Sequence, residues 1–513
     1  MNKIFYSIIL ILWNNILIAQ IPTFSEHIAP IIFSNCTKCH RPNNIAPFSL
    51  TNYNEVFGAA NSILDAVNNK LMPPWPPDPD YHHFLNERVL SSSEIQAIND
   101  WVSFGMPLGD TSLIPPLPTF IEGSEIGIPD VQFNLPVYTL TTNQDEYRCF
   151  VIPSQFSQEV YIKAFEFLPG NKLIDHHAVI FWDTSGVCQQ LDDSTIELGY
   201  NSASSFAGTD NAQKISIWVP GSPPLILPPN FGYRIPANAD IIVQMHYPEA
   251  SFGLVDSSKL NIFLQSGINI RNVKLKTTIN IIHIIDGPLV IPADSIKTFH
   301  AESTIPINTS VLAVMPHMHL LGKNTVTYAV QPNGDTMKLV SIPRWDFHWQ
   351  GFYVYEKLVL WPTNTIIKSE FTYDNTSSNL LNPNSPPQTV YYGNGSDNEM
   401  MVTAFLTVPY KQGDENIFLY SADTSVFESE ISIYPNPTNG NFTVNFNFIN
   451  EQIITASVYS VTGARVKNIF SNLLIKPDTH QQLINLSELT SGIYFLKINS
   501  NNLNIVKRIA IIH

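Results

Sequence analysis

The residues with the clearest chemical meaning lie near the N-terminus, where Cys36, Thr37, Lys38, Cys39 and His40 form a C-x-x-C-H motif. In such a motif the two thiols add to the vinyl groups of a haem, and the adjacent imidazole becomes an axial ligand of the iron. A zinc knuckle or a redox-active C-x-x-C pair is the alternative interpretation. We expect one covalently bound c-type haem held by Cys36, Cys39 and His40.

Four residues further along the chain could provide the second axial ligand of this haem. Met72 follows a predicted helix and precedes a proline-rich loop, which would hold its thioether rigidly. Methionine and histidine together are a known ligand pair of c-type haems. Met72 is therefore the predicted ligand, Met106 is the next candidate, and His82 or His83 would give two histidine ligands.

Histidines in three further segments have the types and spacing of transition-metal ligands. His176 and His177 are adjacent, and His246 ends an apolar strand. His317 and His319 are two positions apart, so on a strand their imidazoles lie on one face and can chelate one ion. Adjacent residues point to opposite faces, so His176 and His177 can share an ion only where the backbone turns or bulges. Imidazoles suit copper, zinc, iron and nickel, and scattered structural histidines are the alternative.

The order of these segments resembles that of the copper type II ascorbate-dependent monooxygenases, the family of peptidylglycine α-hydroxylating monooxygenase and dopamine β-monooxygenase. The resemblance covers roughly residues 130–410, and its most specific part is the H-x-H-x-x-G-K element from His317 to Lys323. It implies two jelly-roll-like lobes that each carry one copper ion, with a solvent-filled cleft between the two ions.

The resemblance also implies a ligand set for each of the two copper ions. The carried-over ligands are His176, His177 and His246 for the electron-transfer copper and His317, His319 and Met400 for the oxygen-binding copper. The sequence departs from the family pattern at Asn398, where an aspartate is usual, and Met401 directly follows Met400. A core methionine is the alternative interpretation of Met400.

Two cysteines, Cys149 and Cys188, lie outside the haem motif. An even pair in an exported chain predicts one structural disulfide. The resemblance places a disulfide at the same positions. Two buried free thiols are the alternative.

The activity that the resemblance implies is hydroxylation of a C–H bond, in a small-molecule or peptide substrate, by dioxygen. His317, His319 and Met400 would be the catalytic residues, because a soft thioether favours Cu(I). A cytochrome ahead of a copper domain resembles a bacterial fusion, so the haem is predicted to relay electrons from an external donor. A non-catalytic electron-transfer or copper-binding protein is the alternative. A zinc hydrolase is disfavoured, because the histidine pair lacks the adjacent glutamate of an H-E-x-x-H site.

Local patterns predict the elements that position these residues. The predicted helices are Glu26–Ser34, Glu55–Asn69 and Ser93–Phe104, and the predicted strands include Val160–Phe167, Ile241–Tyr247, Thr325–Val330 and Thr365–Tyr373. The fold class is a multidomain, mainly β chain with a small α-helical cytochrome c domain, two jelly-roll-like lobes and a small C-terminal β-sandwich.

The predicted boundaries follow changes of composition along the chain. A positive Lys3, an apolar run and a small Ala19 predict a signal peptide. The segments are 1–20 signal peptide, 21–112 haem domain, 113–130 linker, 131–275 first copper lobe, 276–410 second copper lobe, 411–428 linker and 429–513 C-terminal domain.

The C-terminal segment resembles the type A sorting domain of type IX secretion in Bacteroidetes. The landmarks are 433–440, 458–463 and 489–494, with Lys507 and Arg508 near the end. A generic immunoglobulin-like module is the alternative. The resemblance implies the type IX secretion machinery as a partner and a secreted or cell-surface location, reached through the periplasm and the outer membrane.

The charge of the chain argues against nucleic acid as a partner. The chain has 27 Lys and Arg against 43 Asp and Glu, a net charge of −16, which disfavours binding to nucleic acid. A hydrophobic fraction of 44% is enough for several folded cores.

Overall fold

The computed structural model describes residues 21–118, 120, 123–202, 207–249, 251–421, 431–448, 452–460, 464–475, 478–499 and 504–513. Its contacts divide the chain into a first unit up to Tyr420 and a second unit from Ser421. The predicted signal peptide lies outside the described residues. Within these ranges, no helix combines the length and the apolar character that a bilayer span requires.

Three helices form the N-terminal part of the first unit: α1 (Ala29–Asn35), α2 (Tyr53–Asn68) and α3 (Ser92–Ser103). A π-helical turn at Phe24–Ile28 precedes α1. The Asn52 side chain caps α2, and a capping box begins α3, because each satisfies backbone N–H groups that the helix leaves unpaired. Their shared core contains Phe24, Ile28, Ile32, Val56, Ile63, Ile98 and Trp101. The three predicted helices are present with bounds shifted by a few residues.

The first β lobe follows as two five-stranded sheets. Its elements are β1 (Val131–Asn134), β2 (Tyr138–Thr139), β3 (Glu146–Pro153), β4 (Val160–Leu168), β5 (His177–Asp183), α4 (Val187–Asp193), β6 (Tyr200–Asn201), β7 (Gln213–Trp218), β8 (Leu225–Ile226), β9 (Phe231–Ile235), β10 (Asp240–Tyr247), β11 (Val255–Asp256), β12 (Lys259–Leu264) and β13 (Arg271–Asn272). The sheet orders are β1-β12-β4-β9-β13 and β6-β3-β10-β5-β7. β10 is almost wholly buried, because β3 and β5 flank it and both its faces are covered.

The second β lobe contains two four-stranded sheets. Its strands are β14 (Lys274–Ile279), β15 (Val290–Ile291), β16 (Ser295–Thr304), β17 (Thr309–His317), β18 (Gly322–Val330), β19 (Thr336–Ile342), β20 (Tyr353–Trp361), β21 (Ile366–Asn375), β22 (Val390–Tyr391), β23 (Val402–Pro409) and β24 (Tyr420–Ser421). The sheet orders are β14-β23-β17-β20 and β16-β21-β18-β19. Along β21 buried and partly exposed residues alternate, as expected for a strand with one face on a core. The mainly β character predicted from the sequence is confirmed.

The two lobes share one continuous apolar core. Leu312, Leu358 and Leu406 of the second lobe belong to the same buried cluster as Ile162 and Met245 of the first lobe. Short helical turns at Thr111–Leu113, Ile281–His283 and Asp414–Asn416 complete the first unit.

A buried ion pair also joins the lobes. Arg271, in β13, donates from Nη1 to Asp414 Oδ1 at 2.6 Å and from Nη2 to Asp414 Oδ2 at 2.7 Å. The Ser310 hydroxyl donates to the same carboxylate at 2.6 Å. Burial alone would raise the pKa of Asp414, but the hydrogen bonds from Arg271 and Ser310 outweigh it and lower the pKa.

The chain between α2 and α3 crosses to the β lobes. We call residues 72–90 the crossing segment. The Leu85 N–H donates to the Val354 carbonyl oxygen at 2.8 Å, and Phe84 is buried in the core of the second lobe, where Trp75 also packs. The helical part, which has its own core, is therefore also anchored in the β body.

The second unit is a small β-sandwich by itself. Its strands are β25 (Ile431–Tyr434), β26 (Asn441–Phe448), β27 (Gln452–Ser460), β28 (Arg465–Ile475), β29 (Asp478–Asn485), β30 (Gly492–Asn499) and β31 (Asn504–Ile511). The sheet orders are β25-β26-β29 and β28-β27-β30-β31. Phe442, Val444, Ile454, Val458 and Leu496 form its core.

Replacing Arg271 by Gln would leave the Asp414 carboxylate buried without its cation. We expect the free energy of unfolding to fall by about 3–5 kcal/mol at neutral pH. Because the pKa of Asp414 is lower in the folded state, this stabilisation is present above its unfolded pKa and is lost as the pH falls through its folded pKa. Urea denaturation of wild type and R271Q over a descending pH series measures both effects.

The matched control is Arg234→Gln, in the exposed pair with Glu159 at 2.6 Å. This variant should lose less than about 1 kcal/mol. The role of the buried pair would be contradicted if the two variants lost equal free energies of unfolding. It would also be contradicted if the difference in free energy of unfolding between wild type and R271Q did not shrink at acidic pH.

Candidate metal centres

His176, His177 and His246 come together in the first lobe. The antiparallel register of β10 with β5 places His246 directly opposite His177. His176 lies just before β5, and its Nδ1 is 3.0 Å from Nδ1 of His246 and 3.2 Å from Nδ1 of His177. One nitrogen of each imidazole lies within 4.8 Å of the others. We call these residues the histidine triad, and their spacing allows them to bind one ion together.

Burial keeps the imidazoles of His176 and His177 neutral. Burial, with help from the neighbouring His246 and His348, lowers the pKa of His176 to about 4. Burial first, and then the charges of nearby histidines, bring the pKa of His177 well below its ordinary value. The Tyr147 ring stacks on His246 with 4.3 Å between ring centres. Neutral imidazole is the form that binds a metal ion, so His176 and His177 are ready to act as ligands.

His317 and His319 lie where β17 ends, with 5.0 Å between their ring centres. Met318, which lies between them, belongs to the core of the second lobe. Met401, just before β23, belongs to the same core. Since adjacent residues of an extended chain point to opposite faces, His317, His319 and Met400 face away from that core. The antiparallel register of β17 with β23 sets His317 opposite Val402, and Met400 precedes Val402 by two residues. We call these three residues the second ligand group.

The Glu399 carboxylate joins the two chain segments of this group. It is fully buried and accepts hydrogen bonds from the N–H groups of His319 at 2.9 Å, Leu321 at 2.7 Å and Met400 at 3.2 Å. Burial raises the pKa of Glu399 to about 8, while these hydrogen bonds act in the opposite direction. Nδ1 of His319 lies 3.1 Å from the Asn398 carbonyl oxygen, so Nε2 is the nitrogen left for a metal ion.

A segment that sequence reasoning missed, Asp346–Gln350, lies against the second ligand group. Gln350 Oε1 is hydrogen-bonded to Nδ1 of His317, which leaves Nε2 of that imidazole for a metal ion. The Phe347 ring lies 6.1 Å from the His319 ring. Burial lowers the pKa of His317 to about 3, so this imidazole is neutral as well.

The same segment also reaches the histidine triad. The His348 ring lies 5.5 Å from the His176 ring, and its Nδ1 is 3.3 Å from Asp346 Oδ1. The hydrogen bond to Asp346 raises the pKa of His348. One protein segment thus contacts both ligand groups. The sequence signal for this segment was its run of acidic, aromatic, histidine and glutamine residues. Their spacing matches no known metal-binding motif, so the segment was not predicted as part of the site.

The haem motif forms a turn at the C-terminal end of α1. The N–H groups of Cys39 and His40 both donate to the Cys36 carbonyl oxygen, at 3.1 and 2.8 Å. Nδ1 of His40 lies 3.1 Å from the Phe48 carbonyl oxygen, and the two rings are 4.7 Å apart. A proton on Nδ1 leaves Nε2 for an iron ion. The donor set and its local geometry therefore fit a c-type haem.

The candidates for the second axial ligand lie in different surroundings. Met72 follows α2 at the start of the crossing segment and is 41% exposed. Met106 packs against the core of the three helices. The His82 ring packs 5.0 Å from the Tyr355 ring of the second lobe, and His83 is exposed and hydrogen-bonded to a glutamate four residues on. Because both imidazoles already have partners, Met72 stays the predicted ligand.

Cys149, in β3, and Cys188, in α4, lie in one buried cluster together with Val179, Tyr200 and Ile242. Both are free thiols, so the predicted disulfide between them is absent and the alternative of two buried thiols holds. Burial raises the pKa of Cys149 to about 12 and that of Cys188 to about 11. The thiols stay protonated and pack as small apolar groups. The disulfide prediction rested only on the even number of remaining cysteines, which does not show whether they form a bond.

The second unit matches a known family. Residues 432–512 match the family described as secretion system C-terminal sorting domain. The C-terminal unit is a type IX secretion sorting domain. A chain with this domain is exported to the cell surface or secreted, and it interacts with the type IX secretion machinery. The location predicted from the sequence is confirmed.

The remaining comparisons are weak. No curated protein matches the chain. Similar solved structures include PNGF-II (8% identity, TM-score 0.21, 54% of this chain and 59% of that chain) and the β-glucuronidases of Ruminococcus gnavus (10%, 0.14, 43% and 36%) and Bacteroides uniformis (12%, 0.12, 46% and 28%). The chain spans less than two thirds of each of these structures, and likeness at this level says nothing about its activity.

Replacing Glu399 by Ala would leave three buried backbone N–H groups unpaired, at a cost of about 1–3 kcal/mol each. We expect the free energy of unfolding of E399A to fall by at least about 2 kcal/mol. E399Q should lose less, because its amide oxygen still accepts a hydrogen bond. Urea denaturation measures both values.

Glu302→Ala is the control, because Glu302 forms a surface pair with Lys368 at 2.6 Å. Its loss should stay below about 1 kcal/mol. A stability of E399A equal to that of E302A would show that Glu399 does not hold the two segments together.

Proposed function

We propose that the protein is an exported copper-dependent monooxygenase that hydroxylates a C–H bond of a small-molecule or peptide substrate with dioxygen. The observation that carries this function is the convergence of three imidazole nitrogens within 4.8 Å in the histidine triad. A second pair of imidazoles supports it, because Glu399 accepts hydrogen bonds from the backbone N–H groups of both His319 and Met400.

The two ligand groups differ in chemical softness. The triad offers three nitrogen atoms, whereas the second group adds the Met400 thioether to two nitrogen atoms. Thioether sulfur favours Cu(I), which suits an oxygen-binding copper, and an all-imidazole site suits the copper that supplies an electron. Copper bound at the two groups supplies one-electron transfer and activation of dioxygen.

The chain orients these ligands before any metal binds. Gln350 and the Asn398 carbonyl engage Nδ1 of His317 and His319, so Nε2 is the available nitrogen in both cases. Glu399 ties the backbone of Met400 to that of His319, which keeps sulfur and nitrogen ligands in one register. Partners of this kind fix ring orientation and typically raise metal affinity by about 10- to 100-fold.

A zinc hydrolase is the less suitable function for the same residues. Such a site needs a carboxylate that can take a proton from a metal-bound water. Glu399 lies beside the histidine pair, but it is fully buried and its oxygens accept three backbone hydrogen bonds. Its contacts therefore support a positioning role and not that of a general base.

We propose that a c-type haem attached at Cys36 and Cys39 connects the copper centres with an external electron donor. His40 and Met72 are its proposed axial ligands. The crossing segment supports this role, because it begins at Met72 and continues into the β lobes that carry the ligand groups.

We expect the full chain to bind two copper ions for each haem. His246→Ala and His319→Ala should each lose one ion, because each removes a ligand from a different group. His300→Ala, an exposed imidazole 2.9 Å from Asp286, should retain both. Copper analysis, together with a haem assay, measures these ratios.

Oxygen uptake by the reduced protein with a panel of short peptides and small molecules tests catalysis. Uptake should depend on substrate in wild type and be lost in H319A. Two bound copper ions without substrate-dependent uptake would establish the non-catalytic alternative. Wild-type copper content in both H246A and H319A would show that the ligand assignment is wrong.

Replacing Met400 by Leu conserves volume but removes the soft sulfur atom. We expect the Cu(I) affinity of the second ligand group to fall by about 10- to 100-fold, while the triad is unaffected. Competition with a Cu(I) chelator measures both affinities. Met401→Leu is the matched control, because Met401 packs in the core. Equal Cu(I) affinities in the two variants would rule out Met400 as a ligand.

A further inference from the structure

Three side chains beside the histidine triad reach solvent, although part of the triad is buried. His246 is only 3% exposed, and the Tyr147 ring lies parallel to its imidazole, so that one face of this ligand is covered. The side chains of His348, Asp346 and Asp145 are 53%, 45% and 42% exposed. A metal ion from solution therefore meets these three side chains at the solvent side of the triad.

His348 is the exposed imidazole at this place. Its ring centre lies 5.5 Å from that of His176, the same separation as between His176 and His177 within the triad. Its Nδ1 is 3.3 Å from Asp346 Oδ1, and its backbone N–H donates to the same oxygen at 2.9 Å. A proton on Nδ1 leaves Nε2 for a metal ion. Since the nitrogen atoms that converge within 4.8 Å are those of the triad, His348 borders the triad without belonging to it.

Two carboxylates give this border a negative charge. Asp145 Oδ1 lies 3.6 Å from Nε2 of His246, on the first lobe, and Asp346 lies beside His348 on the second. Burial lowers the pKa of His176, and the negative charges of Asp145 and Asp346 act against it, so both carboxylates are close to this ligand. Charges of one sign around a site raise the local concentration of the opposite ion and increase its rate of association by about 10- to 1000-fold.

We propose that His348, with Asp346 and Asp145 beside it, is the entry site through which the triad takes up copper from solution. This role rests on the proposed copper binding at the triad and adds the route by which the ion arrives. Taking an ion out of water costs free energy until new ligands replace the water. His348 replaces one water ligand of the incoming ion and then yields the ion to His176. The oxidation state of the ion does not change, and the displaced water returns to solution.

The kinetics of copper loading test this role in the full chain. An entry ligand changes rates without changing the equilibrium, because loading and release cross the same barrier. His319→Ala serves as the parent, since the triad then holds the one copper ion expected. Cupric sulfate is mixed with the metal-depleted chain for increasing times, excess EDTA stops the uptake, and the bound copper is counted. Release is followed by incubating the loaded chain with EDTA.

His348→Ala in this parent should lower the rates of loading and of release by about tenfold or more, because one step of ligand exchange is lost. The equilibrium affinity for copper should stay at the parent value. Asp145→Asn should slow loading at low ionic strength, and its difference from the parent should shrink as salt is raised, because salt screens charges at exposed sites.

His300→Ala is the matched control, because His300 is an imidazole of similar exposure whose Nδ1 also lies beside a carboxylate, that of Asp286, at 2.9 Å. It should load and release copper at the parent rates. A folded H348A with parent rates would overturn the entry role. Weaker affinity with faster release in H348A would show a permanent ligand and would overturn it as well.

Two further outcomes keep the test decisive. If H348A does not fold, loading of D145N at the parent rate in low salt decides against the entry site. If the parent chain holds no copper after long exposure, the ligand assignment of the triad is wrong and the proposed function itself fails. The final copper content separates this failure from that of the entry site, which concerns only the rates.

Discussion

The register of two antiparallel strand pairs is the constraint on which the candidate metal chemistry depends. Pairing of β10 with β5 sets His246 opposite His177, and pairing of β17 with β23 sets His317 opposite Val402, two residues after Met400. A slip of one residue in either pair would turn these side chains into the lobe cores. The cores oppose such a slip, because Met245, on the other face of β10 from His246, is fully buried.

Satisfied polar contacts then decide how the buried imidazoles are oriented. A buried imidazole without a partner costs free energy, and its ring orientation is undefined. Gln350 and the Asn398 carbonyl remove this freedom from His317 and His319. Glu399 extends the same principle to the backbone, since its carboxylate accepts from three N–H groups on two chain segments. The metal ligands and the partners that orient them therefore form one connected network.

The crossing segment extends this organisation to the helical part of the chain. It contributes Phe84 to the core of the second lobe and Leu85 to the core that both lobes share. Apolar burial of this kind holds the helices against the β body. The segment also carries Trp75 and Arg88 to the haem motif.

The sequence by itself determined the features that depend on neighbouring residues: the three helices, the C-x-x-C-H motif, the mainly β character and the sorting domain. Such features follow from local spacing and periodicity. Only the tertiary structure decided that Asp346–Gln350 touches both ligand groups, that Cys149 and Cys188 stay as thiols, and that the crossing segment packs in the β lobes. These outcomes depend on contacts between residues far apart in the chain. Local patterns do not encode which distant surfaces will pack together.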